Sequence, residues 1–109
     1  MHHRYGEALA RRLLTQDELR DWAASTRPAD FLAKRFAAKE ALAKALGTGL
    51  RDPVLLGNIR VVNDGHGRPE FRFAPALEGW LSARGVKRVH LSLSDERTHA
   101  LAFVIAEGP

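Results

Sequence analysis

The stretch Phe31-Leu-Ala-Lys-Arg-Phe-Ala-Ala-Lys-Glu-Ala-Leu-Ala-Lys-Ala-Leu-Gly-Thr-Gly49 constrains the fold more than any other part of the chain. Its interior is Ala, Leu, Lys and Glu, residues that lose little side-chain freedom in a helix, and no β-branched residue interrupts it. Asp30 is a good N-cap with Pro28 just outside, and Gly47 stands where a left-handed C-cap residue belongs. At about 100° per residue, Leu32, Phe36, Leu42 with Ala43, and Leu46 make a broad apolar side, while Arg35, Lys39, Glu40 and Lys44 cluster on another. That charged face has two readings. It is either a solvated surface, with Glu40 and Lys44 in an i,i+4 pair worth a few tenths of a kcal/mol, or a phosphate site. In the second reading Glu40 holds a hard divalent cation through oxygen and Lys44 neutralises a phosphoryl oxygen. The Gly47-Thr48-Gly49 backbone then approaches the ligand closely. Residue types leave both open.

A chain of 109 residues reads as one domain, 1–109, with a modest core that oligomerisation would enlarge. The balance of 17 Lys and Arg against 13 Asp and Glu, net +4, favours an anionic partner, such as nucleic acid, a phosphorylated small molecule or an acidic protein. With no cysteine, disulfides and thiolate metal sites are excluded. No apolar run approaches the roughly 20 residues that cross a bilayer, and Met1-His-His-Arg-Tyr-Gly6 has no signal-peptide core, so a cytoplasmic protein without a membrane partner is expected. His2 and His3 read as surface residues of the terminus.

Glu7 to Leu14 is expected to be a short helix with Ala8, Leu9 and Leu13 inward. Thr15-Gln-Asp-Glu18 is the capping-box pattern of a second, from about Gln16 to Ala24. Arg4, Arg11, Arg12 and Arg20 leave this opening basic. Ser25 to Asp30 is a linker, and after the central helix Arg51 to Gly57 is loop. Asn58-Ile-Arg-Val-Val-Asn63 is a strand by its β-branched content. The turn-rich Asn63 to Pro69 precedes a second strand at about Glu70 to Phe73. Pro75 opens a helix with Leu77, Trp80 and Leu81 on its apolar side, Trp80 as a core anchor, and Gly85 closes it. From Val86 to Ser94, Val89, Leu91 and Leu93 alternate with Arg88, His90, Ser92 and Ser94, as on a half-covered strand. Asp95 to Thr98 is a turn, and His99 to Ala106 is almost continuously apolar, which predicts a central strand. The fold class is α+β, in the order ααα, ββ, α, ββ.

Gly47-Thr48-Gly49 matches neither the Walker nor the dinucleotide fingerprint, and draws its weight from Glu40 and Lys44 on the same helix. His90 and its serines share one strand face; taken alone, such a histidine reads as a hydrogen-bonded structural residue. His66 and His99 lack ligand-spaced partners. No nucleophile elbow supports a hydrolase triad.

Phe36-Ala-Ala-Lys-Glu-Ala-Leu-Ala-Lys-Ala-Leu-Gly-Thr-Gly49 resembles the signature of the holo-acyl-carrier-protein synthases, the small 4'-phosphopantetheinyl transferases, and His90-Leu-Ser-Leu-Ser-Asp-Glu96 resembles their second motif. The resemblance runs from about Gly6 to Glu107 and includes Leu9 to Thr15 and the Asn63 to Pro69 turn. It implies a small antiparallel sheet packed with helices, a homotrimer with active sites at subunit interfaces, and transfer of 4'-phosphopantetheine from coenzyme A to a serine of an apo carrier protein. It implies Glu40 as a Mg²⁺ ligand and catalytic group, Lys44 at the coenzyme's diphosphate, and His90 in the coenzyme site as a catalytic residue. Gly47, Thr48, Gly49, Gly67, Arg68, Pro69 and Ser92 would be further coenzyme contacts, with Arg4, Arg11 and Arg12 docking the acidic acyl carrier protein. Family members also carry an N-terminal strand with a Gly-x-Asp motif whose Asp is a metal ligand; the sequence here starts after that position. Two rivals come from other classes: a non-catalytic carrier-protein-binding scaffold, and a basic nucleic-acid-binding module, the latter without interleaved aromatics or any usual nucleic-acid motif.

Overall fold

The computed structural model describes residues 6–95 and 100–108. Helices α1 (Glu7–Leu13), α2 (Gln16–Ala24) and α3 (Pro28–Ala45) come first. A 3₁₀ turn (Leu56–Asn58) then leads into strands β1 (Ile59–Asn63) and β2 (Pro69–Phe73), followed by helix α4 (Pro75–Ala83) and strands β3 (Arg88–Asp95) and β4 (Ala100–Glu107). This is the α+β order expected. The strands form two separate antiparallel pairs, β1 with β2 (Val61 opposite Phe71) and β3 with β4 (His90 opposite Ile105), where one small sheet was expected.

Two apolar clusters organise the packing. Ala10, Leu13, Leu14, Trp22 and Leu32 join α1 and α2 to the first half of α3. Ala38, Leu42, Ala43, Val54, Ile59, Val61, Phe71, Leu77 and Leu81 join its second half to the β1–β2 hairpin and α4, and Val89, Leu91, Leu93 and Val104 pack against them. Helix α3 is therefore the one element common to both clusters, and every other element packs on it directly or through a neighbour.

Its ends follow simple chemistry. Gly47, at φ +77°, lets the Gly47 N–H reach Lys44 O at 3.0 Å and the Thr48 N–H reach Ala43 O at 3.3 Å, a Schellman ending that a Cβ-bearing residue would strain. Helix α4 ends the same way at Gly85, through Ser82 O and Leu81 O. At its start α3 is longer than expected: Pro28 occupies the first turn, where its missing N–H costs nothing. Asp30 is inside that turn rather than at the cap, and pairs with Lys34 at 3.2 Å.

Other expectations are corrected. In α1 the inward residues are Ala10 and Leu13, whereas Ala8 is exposed and Leu9 is 54% exposed. Trp80 packs against the second cluster as expected but is half-buried, with the Arg84 guanidinium over its ring face 4.3 Å from the centroid. Strand β4 is not central: among the described residues it pairs with β3 alone, α3 covers one of its faces, and Ile105 is 63% exposed. The alternation on β3 holds, with Val89, Leu91 and Leu93 half-buried and His90 and Ser92 exposed. The histidines at 2, 3 and 99, Arg4 and the turn residues 96–98 lie outside the described residues.

Candidate functional site

The charged side expected for α3 sets Lys39 with Arg35, Glu40 and Lys44, but the structure places it inside. Lys39 is fully buried, at 0% exposure. Residues 32, 36, 39 and 43 recur at the spacing of a single buried stripe, so Lys39 stands in the middle of the apolar side. Its ammonium donates to Leu13 O at 2.6 Å, Glu18 Oε1 at 2.6 Å and Leu56 O at 3.0 Å, which matches its three N–H groups to three acceptors. Burial pulls the Lys39 ammonium below the ordinary lysine range, and the charge and hydrogen bond of Glu18 oppose that pull.

Glu18, 1% exposed, is shared more widely. The capping box was legible and is present: Thr15 N donates to Glu18 Oε1 at 2.9 Å and Glu18 N to Thr15 Oγ1 at 3.3 Å. The same carboxylate also accepts from Val61 N at 2.8 Å, through Oε2. Arg35 Nε stands 3.6 Å from that Oε2, and the Arg35 guanidinium lies over the Phe31 ring at 4.4 Å. Burial lowers the pKa of Arg35, with Glu18 and then Asp21 working against it. One carboxylate thus ties α2, α3 and β1 together.

The neighbours on the other side of α3 are treated differently. Glu40 and Lys44 are exposed, one turn apart, and among the described residues neither has an ion-pair partner. The i,i+4 surface pair of the bland reading is not formed. Thr48 Oγ1 donates to Gly49 O at 2.7 Å just beyond the helix.

The expected coenzyme contacts divide between two clefts. Gly67 and Pro69 face a cleft of about 470 Å³ with Asn63, Leu93 and the cations Arg27, Lys34 and Arg35. Gly47 and Thr48 line another, with Arg51, Arg84 and Trp80. Arg68 itself is exposed. Its backbone closes the hairpin loop, with the Arg68 N–H donating to Asp64 Oδ1 at 2.9 Å and the Asp64 N–H to Arg68 O at 2.8 Å. The bonds from Arg68 N and His66 N hold the exposed Asp64 carboxyl below its usual range. Sequence reasoning missed the cationic lining of the first cleft because Arg27 and Arg35 precede the quoted motif.

His90 and Ser92 stand on the outer face of the β3–β4 hairpin, the face turned away from the core that α3 shares with Val89 and Leu91. His90 Nε2 contacts the Glu107 carboxylate, a partner that strand register supplies and that sequence spacing does not reveal. A single chain therefore does not bring His90 to the side of α3 that bears Glu40. Near the N-terminus Arg11 pairs with Glu7 at 2.7 Å and Arg12 is exposed.

This arrangement can be set beside known proteins. The chain matches the 4'-phosphopantetheinyl transferase superfamily over residues 1–104. It is 58% identical over 105 residues to the holo-[acyl-carrier-protein] synthase of Laribacter hongkongensis, which covers 96% of this chain and 84% of that relative. The chain belongs to the holo-[acyl-carrier-protein] synthase family of 4'-phosphopantetheinyl transferases. The crystal structure of the synthase from Neisseria meningitidis superposes with a TM-score of 0.91 at 51% identity, covering 94% of this chain and 82% of that one. A synthase from Bacillus anthracis, solved in complex with CoA (3',5'-ADP), superposes with a TM-score of 0.78 at 33% identity, covering 94% and 83%. The family fold is thus the α+β arrangement described above, and no helix among the described residues is long and apolar enough to cross a membrane.

Proposed function

We propose that this chain transfers 4'-phosphopantetheine from coenzyme A to a serine of apo acyl carrier protein, giving holo acyl carrier protein and adenosine 3',5'-bisphosphate. The observation that carries this reading is the exposed Glu40 and Lys44, one turn apart and without ion-pair partners among the described residues, on a helix otherwise locked into both clusters of the core. Membership of the synthase family supports it.

In the reaction the serine oxygen bonds to the phosphorus bearing the pantetheine arm. The bond from that phosphorus to the bridging oxygen breaks, and adenosine bisphosphate leaves. Lys44 neutralises the diphosphate oxygens as charge moves onto the leaving group. Glu40 is a hard oxygen donor with no competing cation among the described residues, which fits Mg²⁺, an ion held by one or two carboxylates together with substrate phosphates. The resemblance implies that the Asp of the family's N-terminal Gly-x-Asp strand and the coenzyme's diphosphate oxygens would share the ion with Glu40. The metal, when bound, supplies charge stabilisation at the diphosphate. Glu40 also accepts the serine proton, directly or through water.

The remaining anionic group of the coenzyme, its 3'-phosphate, goes to the cleft of Arg27 and Arg35, with Gly67 and Pro69 giving the adenine close backbone approach. Gly47, Thr48 and Gly49 line the pantetheine side. His90, held by Glu107, and Ser92 close the site from a neighbouring subunit of a homotrimer. Their outward placement on a half-covered hairpin supports that assembly. Arg12, Arg11 and Arg4 dock the acidic carrier protein. The protein acts in fatty acid biosynthesis in the cytoplasm.

Mass spectrometry of an apo carrier protein incubated with coenzyme A, magnesium and this protein tests the reading. A mass gain of one phosphopantetheine on a single serine is expected, and no modification under conditions where the carrier binds would leave only the scaffold reading.

A further inference from the structure

We infer that Glu18, a carboxylate sealed inside the protein, is a positioning residue for coenzyme recognition: it holds Arg35 at the edge of the cationic cleft and so sets how strongly the 3'-phosphate is read. The inference rests on the assignment of that cleft to the 3'-phosphate made above.

The argument starts from what holds Arg35. The long arginine side chain has many rotamers, and selective binding of a phosphate requires the planar guanidinium to be presented in one of them. Phe31 supports one face at 4.4 Å, and Glu18 Oε2 stands 3.6 Å from Nε, the inner edge of the fork. Arg35 lines the cleft while its Nε is sealed from solvent and lacks a close hydrogen bond. Glu18 is the stronger of the two carboxylates acting on that guanidinium, ahead of Asp21, and among the described residues the terminal nitrogens have no hydrogen-bond or ion-pair partner.

Glu18 is itself immobile. It accepts from Thr15 N, Val61 N and Lys39 Nζ, and so has three anchors besides Arg35. A solvent-exposed carboxylate in its place would swing and be screened; this one transmits the setting of α2 and β1 to Arg35. Lys39 has the complementary task. It balances the buried negative charge, so that Glu18 does not draw the Arg35 fork inward and away from the cleft.

The test uses the full chain and calorimetric titration with coenzyme A and with 3'-dephospho-coenzyme A. The parent should bind coenzyme A about tenfold or more tightly than the dephospho form. Glu18→Gln together with Lys39→Met removes both buried charges, and the single Gln oxygen keeps one of the two backbone acceptor roles, toward Thr15 N or Val61 N, that Oε1 and Oε2 divide in the parent. In this double variant the preference should shrink to about twofold, by weaker binding of coenzyme A with binding of the dephospho form nearly unchanged. Thermal unfolding of the same sample establishes that it is folded, and a purely structural role would weaken both ligands equally. Arg35→Ala should abolish the preference, and adding it to the double variant should then cause little further change. A parent without any preference overturns the cleft assignment and this proposal with it. A parent with the preference and a folded double variant that keeps it overturns the proposal alone.

Discussion

Lys39 and Glu40 are adjacent in sequence and opposite in circumstance. Lys39 has no exposed surface and three acceptors around its ammonium; Glu40 is open to solvent, with no ion-pair partner among the described residues. The peptide between them is where α3 changes from holding the fold together to facing solvent. A buried charge can stay charged only if the protein satisfies it, so it becomes architecture. An exposed charge left unsatisfied by the protein remains available to a diphosphate and a metal.

The comparison can be broken by exchanging the roles. Lys39→Met should be the most damaging change, because it strands the Glu18 carboxylate without its counter-charge. A loss of about 3–5 kcal/mol is expected in urea unfolding. Adding Glu18→Gln should recover most of that, and equal midpoints for the single and double variants would show that the pair's charges are immaterial. Glu40→Gln should do the reverse, leaving stability within about 0.5 kcal/mol while transfer to carrier protein falls by about 10²–10³. Transfer at the parent rate would remove Glu40 from the mechanism.

Smaller effects sharpen the picture. Lys44→Ala should weaken coenzyme A binding about tenfold by calorimetry with the unfolding midpoint unmoved; unchanged affinity would return Lys44 to the solvated surface. Gly47→Ala should cost about 1 kcal/mol. Space is not the reason, since an added Cβ at Gly47 meets nothing within 4 Å, so the penalty belongs to its positive φ alone. The smallest effect concerns Asp64. Its folded pKa is depressed, so the loop stabilisation it gives is complete above the ordinary value of 3.8 and is lost as pH falls through the lower folded value. The amide resonances of His66 and Arg68 should therefore titrate together below pH 3.8. Titration above it would reverse the sign.

Features that depend on neighbours along the chain were legible from sequence. The capping box at Thr15, the glycine endings of α3 and α4, and the alternation of β3 each involve residues within a few positions of one another. The Glu40–Lys44 spacing is local too, which is why a candidate site was visible before any coordinates. Two local expectations also differ, Asp30 lying inside the first turn of α3 and Ala8 and Leu9 facing outward on α1, but the larger differences involve partners far away in sequence. Lys39 was placed on the wet side because its charge was given more weight than its position in the apolar stripe, and the acceptors that permit its burial lie 26, 21 and 17 residues away. Strand β4 was placed centrally because an apolar run does not say whether a strand or a helix covers it.

The amino-acid order alone determined where α2 begins, where α3 and α4 end, the α+β succession and the family, since propensity, capping and motif spacing are short-range properties. Tertiary structure decided which charges face inward. Whether a lysine can leave water depends on a carboxylate and two carbonyls that only the folded chain brings within hydrogen-bonding distance.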